Sequence, residues 1–179
     1  MKFATPIIML TAMSGAYSMI IKRDTPVKNV ITNLAAAFDK LDTTVKAFDG
    51  NIQPVVDAAD NIISLIASGQ ITANDAALIG LADTVTLLDS FKELDQSSKT
   101  LFNDVKGRVA EVEKAKQCDV TREKLDTINA SSKELIGTIL RKITVVYAKA
   151  QAQPYINHIE STLAQTQDLF AENNCVNAN

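Results

Sequence analysis

The 179-residue chain has no tryptophan, and its aromatic content is 5%, six Phe and three Tyr. A core with so few rings must be built from aliphatic side chains, and the abundance of Ala, Val, Ile and Leu suits helices packed ridge into groove. Histidine occurs once, at His158. It has no second His or Cys at ligand spacing, which argues against a metal centre and leaves a solvated helix residue. Glycine-rich phosphate loops are missing. Ser14-Gly15 and Ser68-Gly69 lack the strand-to-helix setting of a nucleophile elbow. Asp and Glu are spread along helix faces, so no carboxylate pair for acid–base work stands out. The expectation is a noncatalytic protein without cofactor or metal. Lys and Arg form no dense stripe either, which excludes a phosphate-tracking nucleic-acid binder. After the first two dozen residues no apolar run reaches membrane-spanning length, and no apolar tail suits a lipid anchor, so no transmembrane anchoring is expected.

What is present begins with Met1-Lys2, the apolar run Phe3 to Met13 and the small-residue gate Ala16-Tyr17-Ser18, the three parts of a secretory signal peptide. The dibasic pair Lys22-Arg23 before Asp24 suits a trimming protease of the secretory pathway. Residues 1–23 therefore read as signal peptide and short propeptide, and the mature chain is expected to start at Asp24, secreted and extracellular. Losing Lys2, Lys22 and Arg23 leaves 15 cations against 21 acids, a net charge of −6. Residues 24–172 have the length of one domain. Residues 173–179 read as a loose, polar C-terminal tail.

Strand alternation is nowhere sustained, and no proline falls between Pro54 and Pro154. Thr25 as cap and Pro26 at the first helical position open a helix that repeats Val27, Ile31, Leu34, Phe38, Leu41, Val45 and Phe48, with Gly50 as its stop. A second carries Ile52, Val55, Val56, Ala59, Ile62, Ile63 and Ile66 and is expected to end at Ser68-Gly69. From about Thr72 the stripe continues through Leu78, Leu81, Val85, Leu88, Phe91, Leu94, Ser98, Leu101, Val105, Val109 and Val112 at steps of three or four. One straight helix of that extent would be about 60 Å long, so the reading is one continuous or bent helix, or two joined, with Asp95-Gln96-Ser97-Ser98 as the place for a bend. A fourth follows Cys118, with Leu125, Ile128, Ser132, Leu135, Ile139 and Ile143. A fifth runs from Val145 to Phe170, with Pro154 kinking it or starting its second part. The predicted fold is all-α: an antiparallel bundle of about five helices, the third long or bent.

In an oxidising compartment Cys118 and Cys175 have one intramolecular pairing. Antiparallel fourth and fifth helices bring the start of one beside the end of the other, so the bridge is feasible. It would contribute roughly 3–4 kcal/mol by the chain-entropy account. Two free thiols or a metal pair are the alternatives, disfavoured by export and by the shortage of ligands. Asn129-Ala130-Ser131 is the only N-glycosylation sequon, in mid-helix, where such sites often stay unmodified.

The apolar stripes admit two readings. In one they fill a solid core, which accounts for the periodicity unaided. In the other they line an internal cavity, and the mid-helix positions Leu34, Phe38, Leu81, Leu88, Leu135 and Ile139 are its candidate lining.

The pattern across the whole mature chain resembles the fungal hydrophobic surface-binding protein A family, also described as cell-wall galactomannoproteins. The resemblance is carried by Lys22-Arg23-Asp24, Phe48-Asp49-Gly50, the Ala, Val and Leu-rich middle, Cys118 with the block Leu125 to Arg141, and Asp168-Leu169-Phe170. It implies a secreted helical bundle that adsorbs to hydrophobic surfaces, with some relatives binding fatty acids in an apolar tunnel. Implied partners are long-chain fatty acids or other apolar ligands, hydrophobic surfaces and a secreted hydrolase. No catalytic residues come with it. The chain ends in the polar run Asn173 to Asn179 where some relatives carry Ser/Thr-rich stalks, which favours free secretion over wall association. Competing readings are a structural or antigenic wall mannoprotein without a small ligand, and an effector that sequesters a host lipid.

Overall fold

A computed structural model describes residues 25–178. Residues 1–23, read above as signal peptide and propeptide ending in Lys22-Arg23, lie outside the described residues, as do Asp24 and Asn179. Six helices follow in order: α1 (Pro26–Lys46), α2 (Gln53–Asp75), α3 (Leu81–Lys106), the short α4 (Val109–Lys114), α5 (Cys118–Lys142) and α6 (Val146–Leu169). No strand is formed among the described residues, apart from an isolated bridge between Ile79 and Ile143.

Local chemistry sets the start of α1 as the sequence predicts, whereas the helix ends at Lys46, short of the expected stop at Gly50. The Thr25 side chain accepts from the Lys28 amide at 3.2 Å, and Pro26 needs no donor in the first turn. Beyond Lys46 the chain turns through Gly50, whose φ of 106° suits a residue without Cβ.

Two further boundaries differ from expectation. Helix α2 does not stop at Ser68-Gly69 but continues to Asp75. Gly69 is a packing residue: a Cβ there would lie 2.6 Å from Val30 Cγ1 and 3.4 Å from Leu135 Cδ2, so its bare backbone lets α2 approach α1 and α5 closely. The helix ends where Lys142 Nζ caps two of its terminal carbonyls, Asn74 O at 2.7 Å and Ala76 O at 2.9 Å. Ile79 then pairs with the link between α5 and α6, donating to Lys142 O at 2.8 Å and accepting from Thr144 N at 3.1 Å. Thr72 thus belongs to α2. The expected long third helix runs unbroken through Asp95–Ser98 and is interrupted at Gly107-Arg108. The polar quartet does not break it, because Asp95, Ser97 and Ser98 are buried and Ser98 Oγ donates to Asp95 O at 2.8 Å. Helix α6 continues through Pro154, which lies on its exposed side.

Consecutive long helices run antiparallel, and the bundle forms two layers. Thr32 meets Ser90 and Lys46 meets Asp104, so α1 and α3 lie side by side in the same direction. Lys99 meets His158 beyond the Ile79–Ile143 bridge, which sets α6 parallel on the other side of α3. Asp60 meets Lys124 and Gln70 meets Thr138, so α2 and α5 form the second, oppositely directed layer. Between the layers lies one aliphatic core, in which Ile31, Ile62, Leu87, Phe91, Ile139 and Ile156 are fully buried. No helix among the described residues is long and apolar enough to cross a membrane.

The C-terminal segment, expected loose, is tied down as far as Ala178. Cys118 and Cys175 form a disulfide with Cα atoms 5.7 Å apart, the pairing the antiparallel helices predict. Asn177 Oδ1 accepts from Cys118 N at 3.0 Å, its Nδ2 donates to Asp119 Oδ2 at 3.0 Å, and Ala178 N donates to Glu113 O at 3.0 Å. Composition could not reveal this, because the ordering comes from the bridge and from carbonyls exposed where α4 gives way to α5.

Candidate functional site

The six stripe positions proposed for a cavity are dispersed. Leu34, Phe38, Leu135 and Ile139 are buried in the core, and Leu88 is half-buried at its edge. Leu81 is the first residue of α3 and 62% exposed, so it stands on the surface rather than in the interior. Mid-helix is where the two layers interdigitate, and side chains there fill the space between them.

An apolar cavity of about 70 Å³ lies instead at the disulfide end of the bundle, where α1 ends and α2 and α5 begin. Leu41, Val45 and Phe48 come from the last turns of α1 and its exit. Ile52, Val55, Val56 and Ala59 form the wall from the first turns of α2. Val105 and Val112 close it from α3 and α4, Leu125 and Ile128 from α5, and the buried Phe170 from the segment after α6. Helix ends spread apart where turns must pass between them, and turn backbone fills space less well than interlocked side chains. A larger depression between α1 and α3 is lined by Asp39, Glu93 and Gln96 among others, and offers an apolar ligand little carbon surface.

Three polar side chains share the cavity wall: Arg108, Thr121 and Lys124. Arg108 Nη2 donates to Lys46 O at 2.7 Å and Nη1 to Glu111 Oε2 at 2.9 Å. Lys124 Nζ donates to Asp60 Oδ1 at 2.7 Å, and that bond raises its pKa. The Thr121 hydroxyl is buried without a hydrogen-bond partner. Beside the cavity Lys46 joins α1 to α3, contacting Asp42 Oδ2 at 2.6 Å and Asp104 Oδ2 at 3.1 Å. Burial pushes the Asp42 carboxyl above its ordinary range, whereas the hydrogen bond with Asp42 holds Asp104 below it. Lys46 is raised by its own hydrogen bond to Asp42.

Outside this end, His158 is largely exposed, 3.3 Å from Lys99 Nζ, and no group of three metal-ligating side chains occurs among the described residues. Asn129 is buried and its Nδ2 donates to Gln167 Oε1, so the folded chain does not present that amide for glycosylation.

Comparison with curated proteins returns no match. Three similar solved structures share the fold at low identity. Ligand binding domain 1 of the Penicillium marneffei MP1 protein, complexed with arachidonic acids, is 12% identical; the match covers 82% of this chain and 97% of that one, with a TM-score of 0.77. Domain 2 of the same protein, also with arachidonic acids, is 13% identical over 84% and 96%, with a TM-score of 0.77. Afmp4p in complex with palmitic acid is 13% identical over 81% and 97%, with a TM-score of 0.75. The profile of hydrophobic surface binding protein A matches residues 25–141, from the cap of α1 almost to the end of α5. With well over half of its length matched, the chain belongs to the hydrophobic surface binding protein A family.

Proposed function

We propose that the protein is secreted, starts at Asp24 once processed, and is a noncatalytic binder of long-chain fatty acids, which it takes into the apolar end of the bundle. The observation that carries this reading is the carbon-walled cavity at the disulfide end. Its support is the family match and the fatty acids held by bundles of the same fold. Burial of each methylene is worth about 0.8 kcal/mol, so a palmitate-length chain offers a gross gain near 12 kcal/mol, which ordering and association costs reduce to micromolar affinity. The cavity of about 70 Å³ is smaller than the roughly 300–1,000 Å³ of pockets that enclose drug-sized ligands, so binding requires the helix ends to part. The first turn of α2 is suited to move, because Ile52 and Val55 are only half-buried and the helix has no side-chain N-cap.

Calorimetry across a series of fatty acids tests this. Affinity should climb with chain length by at most about fourfold per methylene, with a negative heat-capacity change. Ala59→Leu adds carbon where α2 faces the cavity, and should lower palmitate affinity by about tenfold while leaving Tm unchanged or higher. Unaltered palmitate binding in this variant would remove the cavity from the account.

Adsorption to extended apolar surfaces is a second reading, favoured by the opposite end of the bundle. There Leu78, Leu81 and Val85 at the start of α3 and Val146 and Tyr147 at the start of α6 are 60–81% exposed. The Ile79–Ile143 bridge holds the two helix starts together. Five such side chains present on the order of 500 Å², a functional patch size but short of the ~800 Å² each partner contributes to a stable protein interface. An apolar solid is therefore a better occupant than a second copy. Leu81→Glu with Tyr147→Glu should cut depletion of folded protein onto an octyl resin at least severalfold. Retention equal to that of the unaltered protein would exclude this face. A protein that takes up neither palmitate nor resin would be the ligand-free wall protein.

A further inference from the structure

We propose that Thr121, Lys124 and Arg108 form a rim that receives the carboxylate of a fatty acid whose tail fills the apolar cavity, so that the ligand lies with its head at the wall and its tail inside. The inference rests on the cavity reading above and adds to it an orientation and a preference for free acids.

Three observations carry it. The remaining wall is carbon, and an ionised carboxylate set among Leu41, Phe48 and Ile128 would lose its hydration without replacement. The head must therefore sit where donors are. The Thr121 hydroxyl is buried and unpartnered, a standing cost in the unliganded protein that a ligand oxygen would relieve. Thr121 and Lys124 are three residues apart on α5, which sets them on one helix face. Arg108 approaches the same cavity from the turn before α4.

Both cations retain donors for the head. The guanidinium has five N–H groups and uses one on Lys46 O and one on Glu111; the ammonium has three and uses one on Asp60. The anions paired with them, Asp60 and Glu111, are about half exposed, while Glu123 lies close enough to Lys124, and Asp104 to Arg108, to act through space. Exposed ion pairs of this kind hold weakly, so Asp60 and Glu111 can turn to water when a ligand carboxylate arrives. The guanidinium fork also matches a planar carboxylate in two parallel hydrogen bonds, which an ester cannot accept with the same charge.

The test compares palmitate with methyl palmitate by calorimetry, in the unaltered protein and in Thr121→Val, Lys124→Met and the double variant. The unaltered protein should prefer the acid by about tenfold or more. Each single change should weaken palmitate severalfold while leaving the ester unchanged, and in the double variant the preference should fall close to one. A merely structural role would weaken both ligands together. Thr121→Val is nearly isosteric and removes the orphaned hydroxyl, so it carries the test even if Lys124→Met fails to fold. Equal affinity for acid and ester in the unaltered protein, or a preference that survives in the double variant, would overturn the rim while leaving the cavity standing. Binding of neither ligand would overturn both.

Discussion

Phe38→Asp should leave no cooperatively folded protein at room temperature. Phe38 is 4% exposed on the inward face of α1 and belongs to the continuous core, not to the cavity wall. Truncating a buried Phe costs about 3–5 kcal/mol, and a carboxylate without a partner must either lose its hydration or bind a proton at further cost. Together these consume most of the 5–15 kcal/mol by which a domain is stable. Far-ultraviolet circular dichroism and thermal unfolding are the measurements, with Phe38→Leu as the control that keeps an apolar side chain and should remain folded. A variant Phe38→Asp protein with native helix content and no lipid binding would instead make Phe38 a ligand contact, and would revive the mid-bundle cavity.

Removing the disulfide, as Cys118→Ser with Cys175→Ser, should cost roughly 3–4 kcal/mol by the chain-entropy account, given a sequence separation of 57. For a domain of this length that lowers Tm by about 10 °C. The effect should also reach the ligand site. Phe170, which closes the cavity, lies five residues before Cys175, and Arg122 ties the segment down by donating to Phe170 O at 2.7 Å and to Cys175 O at 3.4 Å. Once the bridge is gone the segment is held by hydrogen bonds only, among them those of Arg122 and of Asn177 and Ala178, so palmitate should dissociate faster. Scanning calorimetry with and without reductant, and stopped-flow displacement of a fluorescent fatty acid, measure the two consequences. A stability loss under 1 kcal/mol would mean that the bridge restrains little in the unfolded chain.

The all-α fold and the disulfide pairing were legible because both follow from local rules. Steps of three and four among Val27, Ile31, Leu34, Phe38, Leu41 and Val45 name a helix face wherever that helix later packs, Thr25-Pro26 marks the start of α1 through the chemistry of capping, and Gly50 marks the turn beyond its end. Antiparallel succession of α5 and α6 then brings Cys118 to Cys175 by geometry alone. Glycine was ambiguous in the same local terms. Gly69 reads as a stop and proves to be a contact, because its role depends on Val30 and Leu135, which lie far from it in sequence; Gly107 sits inside an apolar stripe and proves to be the break.

The site was not legible for a related reason. Periodicity identifies which residues face inward but not whether the space they face is full. The parallel layering of α1, α3 and α6 over α2 and α5 decides that Leu34, Phe38, Leu135 and Ile139 interlock, and that Leu81 faces water. It also decides that a void remains among Leu41, Phe48, Ala59, Ile128 and Phe170, which come from elements up to 129 positions apart in the chain. Helical faces and caps are properties of short stretches and can be read from them, whereas a cavity is a shortfall in packing among several elements at once and exists only after they have been brought together.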